Sequence, residues 1–127
     1  MSRFLLICLG GALGTGARYL IAIGVPRLAG TSFPYATLIV NALGSFLLGA
    51  IMHVGLTTGT MSPTVRVVLA TGVMGGFTTY STFNYETMEY LREGALSLAG
   101  LNVAATLLLC LLAGALGLAS ARWLAGS

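Results

Sequence analysis

Gly75-Gly76-Phe77-Thr78-Thr79-Tyr80-Ser81-Thr82-Phe83 is a stretch that does not suit an uninterrupted lipid-facing helix. Two glycines lead into five consecutive hydroxyl side chains and a closing phenylalanine, all inside a long apolar segment. In a bilayer, non-helical backbone persists only where protein buries it or where it lines a cavity. The stretch therefore predicts a broken membrane helix and marks the first place to look for function.

The rest of the chain supports a membrane reading. Of its 127 residues, 57% are hydrophobic and 7% charged, where a soluble domain carries about a quarter charged residues. Six arginines and three glutamates supply the net charge of +3. The arginines are scattered, so the basic balance is no phosphate-binding stripe and no nucleic-acid partner is expected. Cys8 and Cys110 stand in apolar runs without CxxC spacing and read as small buried hydrophobes. Met1-Ser2-Arg3 before an apolar run resembles a signal peptide, but no small-x-small cleavage site leads into a soluble domain, so an uncleaved first span is expected.

A spanning helix needs about 20 mostly apolar residues. Four spans are predicted: Phe4 to Val25, Tyr35 to Leu56, Thr64 to Leu91 and Ala95 to Leu124. Short Pro- and Gly-containing turns join them, so residues 1–127 form a single four-helix transmembrane domain. Its fold class is all-α integral membrane, with the third helix broken near its middle. Four spans are too few to enclose a solute path alone, which predicts an oligomer. With both termini on one side, Arg3, Arg66 and Arg122 face one compartment and Arg18, Arg27 and Arg92 lie toward the other. An arginine excess normally sets orientation. Three against three predicts insertion both ways and an antiparallel, dual-topology homodimer, the inverted symmetry of many transporters. Gly10/Gly14 and Gly72/Gly76 are GxxxG pairs suited to close helix approach, within one chain or between two.

Polar side chains at bilayer depth are costly and point to function. Thr37, Asn41 and Ser45 recur every fourth residue, as do Asn102, Thr106 and Cys110, so each set shares a helix face. Such stripes serve either as interhelical glue or as a polar pathway; two stripes beside the hydroxyl run favour the pathway. A break in the third span would free backbone carbonyls for a cation and N–H groups for an anion. Tyr80 and Phe83 share a face, and the positive edges of aromatic rings can line an anion path. Glu89, Arg92 and Glu93 read as a solvated helix end, Glu86 lies deeper, and an Arg18–Glu86 pairing, or both facing a water-filled vestibule, would lower their cost. No HExxH, P-loop or nucleophile–base pair is present, so an enzyme is not expected.

On these residues the chain resembles the bacterial Fluc (CrcB) fluoride channels. The resemblance covers essentially the whole length. It rests on Gly10-Gly11, Gly14, Gly16, Arg18 and Tyr19, on Thr37 through Asn41, and above all on Thr71-Gly72 leading into residues 75–83 and Glu86-Thr87. It implies an antiparallel homodimer with two fluoride pores in the bacterial inner membrane. Asn41 would be the amide that donates to fluoride, and Phe83 one of two pore phenylalanines. Gly75 and Thr78 would give backbone carbonyls to a central structural sodium ion. Thr79, Ser81 and Thr82 would support the break and the pore lining. Asn102 and Thr106 fall on the family's fourth-helix polar track, and Glu86 where a pore-proximal glutamate stands. The chain departs from the family at Tyr80, where a phenylalanine is usual. The implied activity is passive export: hydrogen fluoride enters, dissociates, and the trapped anion leaves, giving resistance to fluoride. Two other readings stay open. A proton-coupled small multidrug exporter would need an embedded carboxylate, and the first span has none. A non-transporting assembly subunit would use the stripes as glue.

Overall fold

A computed structural model describes residues 2–126. Helices α1 (Ser2–Ala29), α2 (Tyr35–Thr57) and α5 (Leu96–Ala125) are each long and apolar enough to cross a membrane. The third span is divided into α3 (63–77) and α4 (Tyr80–Arg92). At ~1.5 Å rise per residue, neither half crosses the ~30 Å hydrocarbon layer alone, and the two in series do. The four predicted spans and the broken third helix are therefore both present.

Local chemistry explains the ends. Pro63 opens α3 at a position where its missing N–H costs nothing, and the Ser62 side chain caps Val65 N–H. Gly94, at φ +76°, turns the chain between α4 and α5. α1 runs past Pro26, where the sequence predicted its end. A proline in the last turn removes one helix bond, and its own carbonyl is still used by Gly30 N–H at 3.0 Å.

Between membrane helices there is little hydrophobic driving force, so close backbone packing and hydrogen bonds carry association. The two GxxxG pairs meet each other within one chain. A Cβ on Gly14 would collide with the Val73 carbonyl, one on Gly76 with the Gly11 carbonyl, and one on Gly72 would lie 2.8 Å from the Ile7 carbonyl. α2 packs on α5 in the same way, Gly117 against the Phe46 carbonyl and Gly49 against that of Gly114. The small core of Val40, Met74 and Phe77 lies at the centre. Leucines such as Leu13, Leu108 and Leu111 point outward, as lipid contact requires.

The break falls inside residues 75–83, on the threonines and not on the glycines. Gly75 and Gly76 are helical; the extended residues are Thr78 (φ −88°, ψ 161°) and Thr79 (φ −154°, ψ 117°). β-branched threonine fits extended backbone well, while Gly76 serves the close approach of α1. A π-helical stretch, Val68–Met74, precedes the break; such irregular turns cluster at functional sites.

Candidate functional site

One side chain holds the break open. Asn41 Nδ2 donates to the Thr79 carbonyl at 2.9 Å, and Thr79 N–H donates to Asn41 Oδ1 at 2.8 Å. The amide thus pairs with Thr79 as a neighbouring strand would. Gly44, one turn on, lets α2 approach, since a Cβ there would strike the Thr78 side chain. Thr79 Oγ1 caps α4 by accepting from Thr82 N–H at 3.2 Å. Thr78 Oγ1 donates back to the Met74 carbonyl at 2.9 Å, and Arg18 Nε donates to the Gly76 carbonyl at 3.0 Å.

These bonds divert the donors that a continuous helix would use. Thr79 N–H goes to Asn41 rather than to the Gly75 carbonyl, and Thr82 N–H goes to Thr79 Oγ1 rather than to the Thr78 carbonyl. Among the described residues, neither the Gly75 nor the Thr78 carbonyl accepts a hydrogen bond, and the N–H groups of Tyr80 and Ser81 find no acceptor. The carbonyl end of α3 and the N–H end of α4 therefore sit side by side with opposite partial charges. Oxygen-only ligands suit a hard cation, so the two free carbonyls fit the expected sodium ion; Gly75 is exposed, and a Cβ there would meet nothing within 4 Å.

Beside the break runs a groove of about 370 Å³, lined by Asn41, Ser45, Thr79, Tyr80, Phe83 and Thr106. The Tyr80 ring meets that of Phe83 edge-on, with centroids 5.7 Å apart. Tyr80 is 77% exposed in the single chain, so one wall of the groove is open. A second crevice, also about 370 Å³, takes in Thr37, Thr82 and Glu86. A cavity of about 50 Å³ bounded by Arg18, Thr37, Thr79 and Thr82 shares residues with both. Thr37 donates to Glu86 Oε2 at 2.8 Å, while Glu86 Oε1 is buried without a partner. Ser81 is exposed, with its hydroxyl 3.5 Å from that of Thr79.

Three expectations need correction. Arg18 does not pair with Glu86: it serves the Gly76 carbonyl, and among the described residues the one salt bridge joins Arg92 to Glu89. Asn102 does not reach the groove; it is 1% exposed and bonds Thr87. Cys8 is exposed and Cys110 half-buried on the groove wall, rather than both buried. Thr87, which the sequence reading gave no role, links Asn102 to Phe83; the Asn102 stripe was the signal that could have led to it.

Comparison with known proteins places the chain among relatives of one family. Residues 5–118 match the family described as CrcB-like protein, Camphor Resistance (CrcB). A protein of Anaeromyxobacter dehalogenans named fluoride-specific ion channel FluC is 52% identical over 126 residues, covering 99% of this chain and 100% of its own. One of Sorangium cellulosum with the same name is 52% identical over 122 residues, 96% of each chain. One of Geobacter sulfurreducens, again so named, is 48% identical over 124 residues, 98% of this chain and 100% of its own.

Proposed function

The chain belongs to the CrcB-like protein family, and from that membership we infer that it is a fluoride-specific ion channel. It is a multi-pass membrane protein. The single observation in its own geometry that carries the reading is the broken third span. That break sets the start of α4 beside a groove lined by neutral donors and aromatic rings.

Fluoride is small and strongly hydrated, so entry requires replacing its water shell with donors that do not trap it. Asn41 spends one amide proton on Thr79 and keeps the other. The hydroxyls of Ser45 and Thr106, the N–H groups of Tyr80 and Ser81, and the ring edges of Tyr80 and Phe83 complete a neutral path. Thr37, Thr82 and Glu86 form its approach in the second crevice, and the small Arg18 cavity shares lining residues with both the crevice and the groove.

The functional unit is an antiparallel pair of copies. The open groove wall and the exposed Tyr80 support a second copy as the cover, and the even arginine split supports both orientations. Gly75 and Thr78 of each copy would hold a sodium ion at the centre of the pair, where a fixed positive charge offsets their uncompensated carbonyl dipoles. The channel sits in a bacterial inner membrane and passively exports fluoride trapped inside the cell, relieving fluoride toxicity.

The test is ion efflux from liposomes containing the purified protein, recorded with fluoride and chloride electrodes. Fluoride efflux without chloride efflux is expected. Proton-driven flux of organic cations instead, or no flux from a monodisperse preparation, would overturn the reading.

A further inference from the structure

Asn102 is one of the two most deeply buried large side chains, yet it touches none of the groove. Its Nδ2 donates to Thr87 Oγ1 at 2.9 Å, and Thr87 Oγ1 donates to the Phe83 carbonyl at 2.9 Å. The direction of the chain is forced. An amide nitrogen only donates, so the Thr87 oxygen accepts there and its single proton must go to Phe83. Both bonds are buried, where a hydrogen bond is electrostatically stronger than in water.

The end of this chain is informative. Phe83 lies in the first turn of α4, and its ring forms the groove wall together with Tyr80. A threonine bonded back to the carbonyl four residues earlier bends its helix slightly. Here that back-bond ends on Phe83, in the turn that carries both groove aromatics. Asn102 fixes the Thr87 hydroxyl from α5, and Thr106, one turn further along α5, lines the groove. The same helix thus supplies a wall of the path and the brace for the opposite wall.

We propose that Asn102 and Thr87 are positioning residues that set where the Phe83 ring stands in the ion path. This rests on the fluoride-channel reading. A purely structural role for the pair predicts lower stability but an unchanged groove; positioning predicts a displaced ring as well.

The experiment places 4-fluorophenylalanine at position 83 and compares the wild type with Asn102→Leu, Thr87→Val and Thr87→Ser. Its readouts are the fluorine resonance and fluoride efflux per folded channel. Asn102→Leu and Thr87→Val are expected to move the resonance and slow efflux by up to about a hundredfold, the scale on which a group misplaced by about 1 Å acts. Thr87→Ser keeps the hydroxyl and should match the wild type in both. Because the two residues act through one bond chain, the double variant should be no slower than either single one. Folded variants with an unmoved resonance, or with strictly additive losses, would overturn the proposal. If Asn102→Leu does not insert, Asn102→Ala replaces it with the same expected outcomes. A wild type that passes no fluoride would refute the channel reading, while the resonance would still report on the brace.

Discussion

At the scale of single residues, Asn41 carries two tasks on one amide. Its oxygen and one N–H close the Thr79 clamp, which leaves one N–H over on a residue that lines the groove. Asn41→Asp keeps an acceptor for Thr79 N–H but removes both amide donors and adds charge. A unit charge about 4 Å from an anion costs about 4 kcal/mol at an effective dielectric of ~20. Fluoride efflux should therefore fall by up to about a thousandfold in the liposome assay, and undiminished efflux would remove Asn41 from the path. Asn41→Ala strands the Thr79 N–H and carbonyl, and should cost about 1–3 kcal/mol, seen as a lower thermal midpoint in detergent. The fourfold spacing of Thr37, Asn41 and Ser45 made their shared face legible in the sequence. The same spacing misassigned Asn102, because periodicity reports which face a side chain occupies and not which helix stands opposite it.

At the scale of elements, the glycines and threonines of residues 75–83 divide the work otherwise than their order suggests. Threonines make the extended break, and Gly76 joins Gly14 and Gly72 in bringing α1 against α3. Gly14→Ala places a methyl on the Val73 carbonyl, which cannot yield without moving the helix. A loss of about 1–3 kcal/mol is expected. Gly16→Ala meets nothing within 4 Å and should be close to neutral. Equal thermal midpoints for the two variants would contradict the crossing. The free carbonyls of Gly75 and Thr78 give a second prediction for the break. Exchanging sodium for a large organic cation should lower the thermal midpoint of the pair, and a midpoint independent of sodium would exclude the ion. That a break exists was legible from five hydroxyl residues inside an apolar segment. Its position was not, since glycine serves unwinding and close packing equally well.

At the scale of the whole molecule, the proposed antiparallel pair requires that the even split of arginines leave orientation poised, so that a single added charge decides it. Thr31→Arg and Thr60→Arg load opposite sides of the membrane. Each variant expressed alone should lose fluoride efflux, because all copies insert one way; the two expressed together should regain it. Full efflux from either alone would rule out an antiparallel pair. Hydropathy and the run of five hydroxyl residues by themselves determined four spans, a broken third helix and a membrane setting. These follow from local composition measured against the thickness and polarity of a bilayer. Only the tertiary structure decided which carbonyls lose their partners, that Arg18 serves Gly76 rather than Glu86, and that Asn102 bonds Thr87 outside the groove. Each of those depends on where a second helix places a donor to within an ångström, and no spacing along one helix contains that distance.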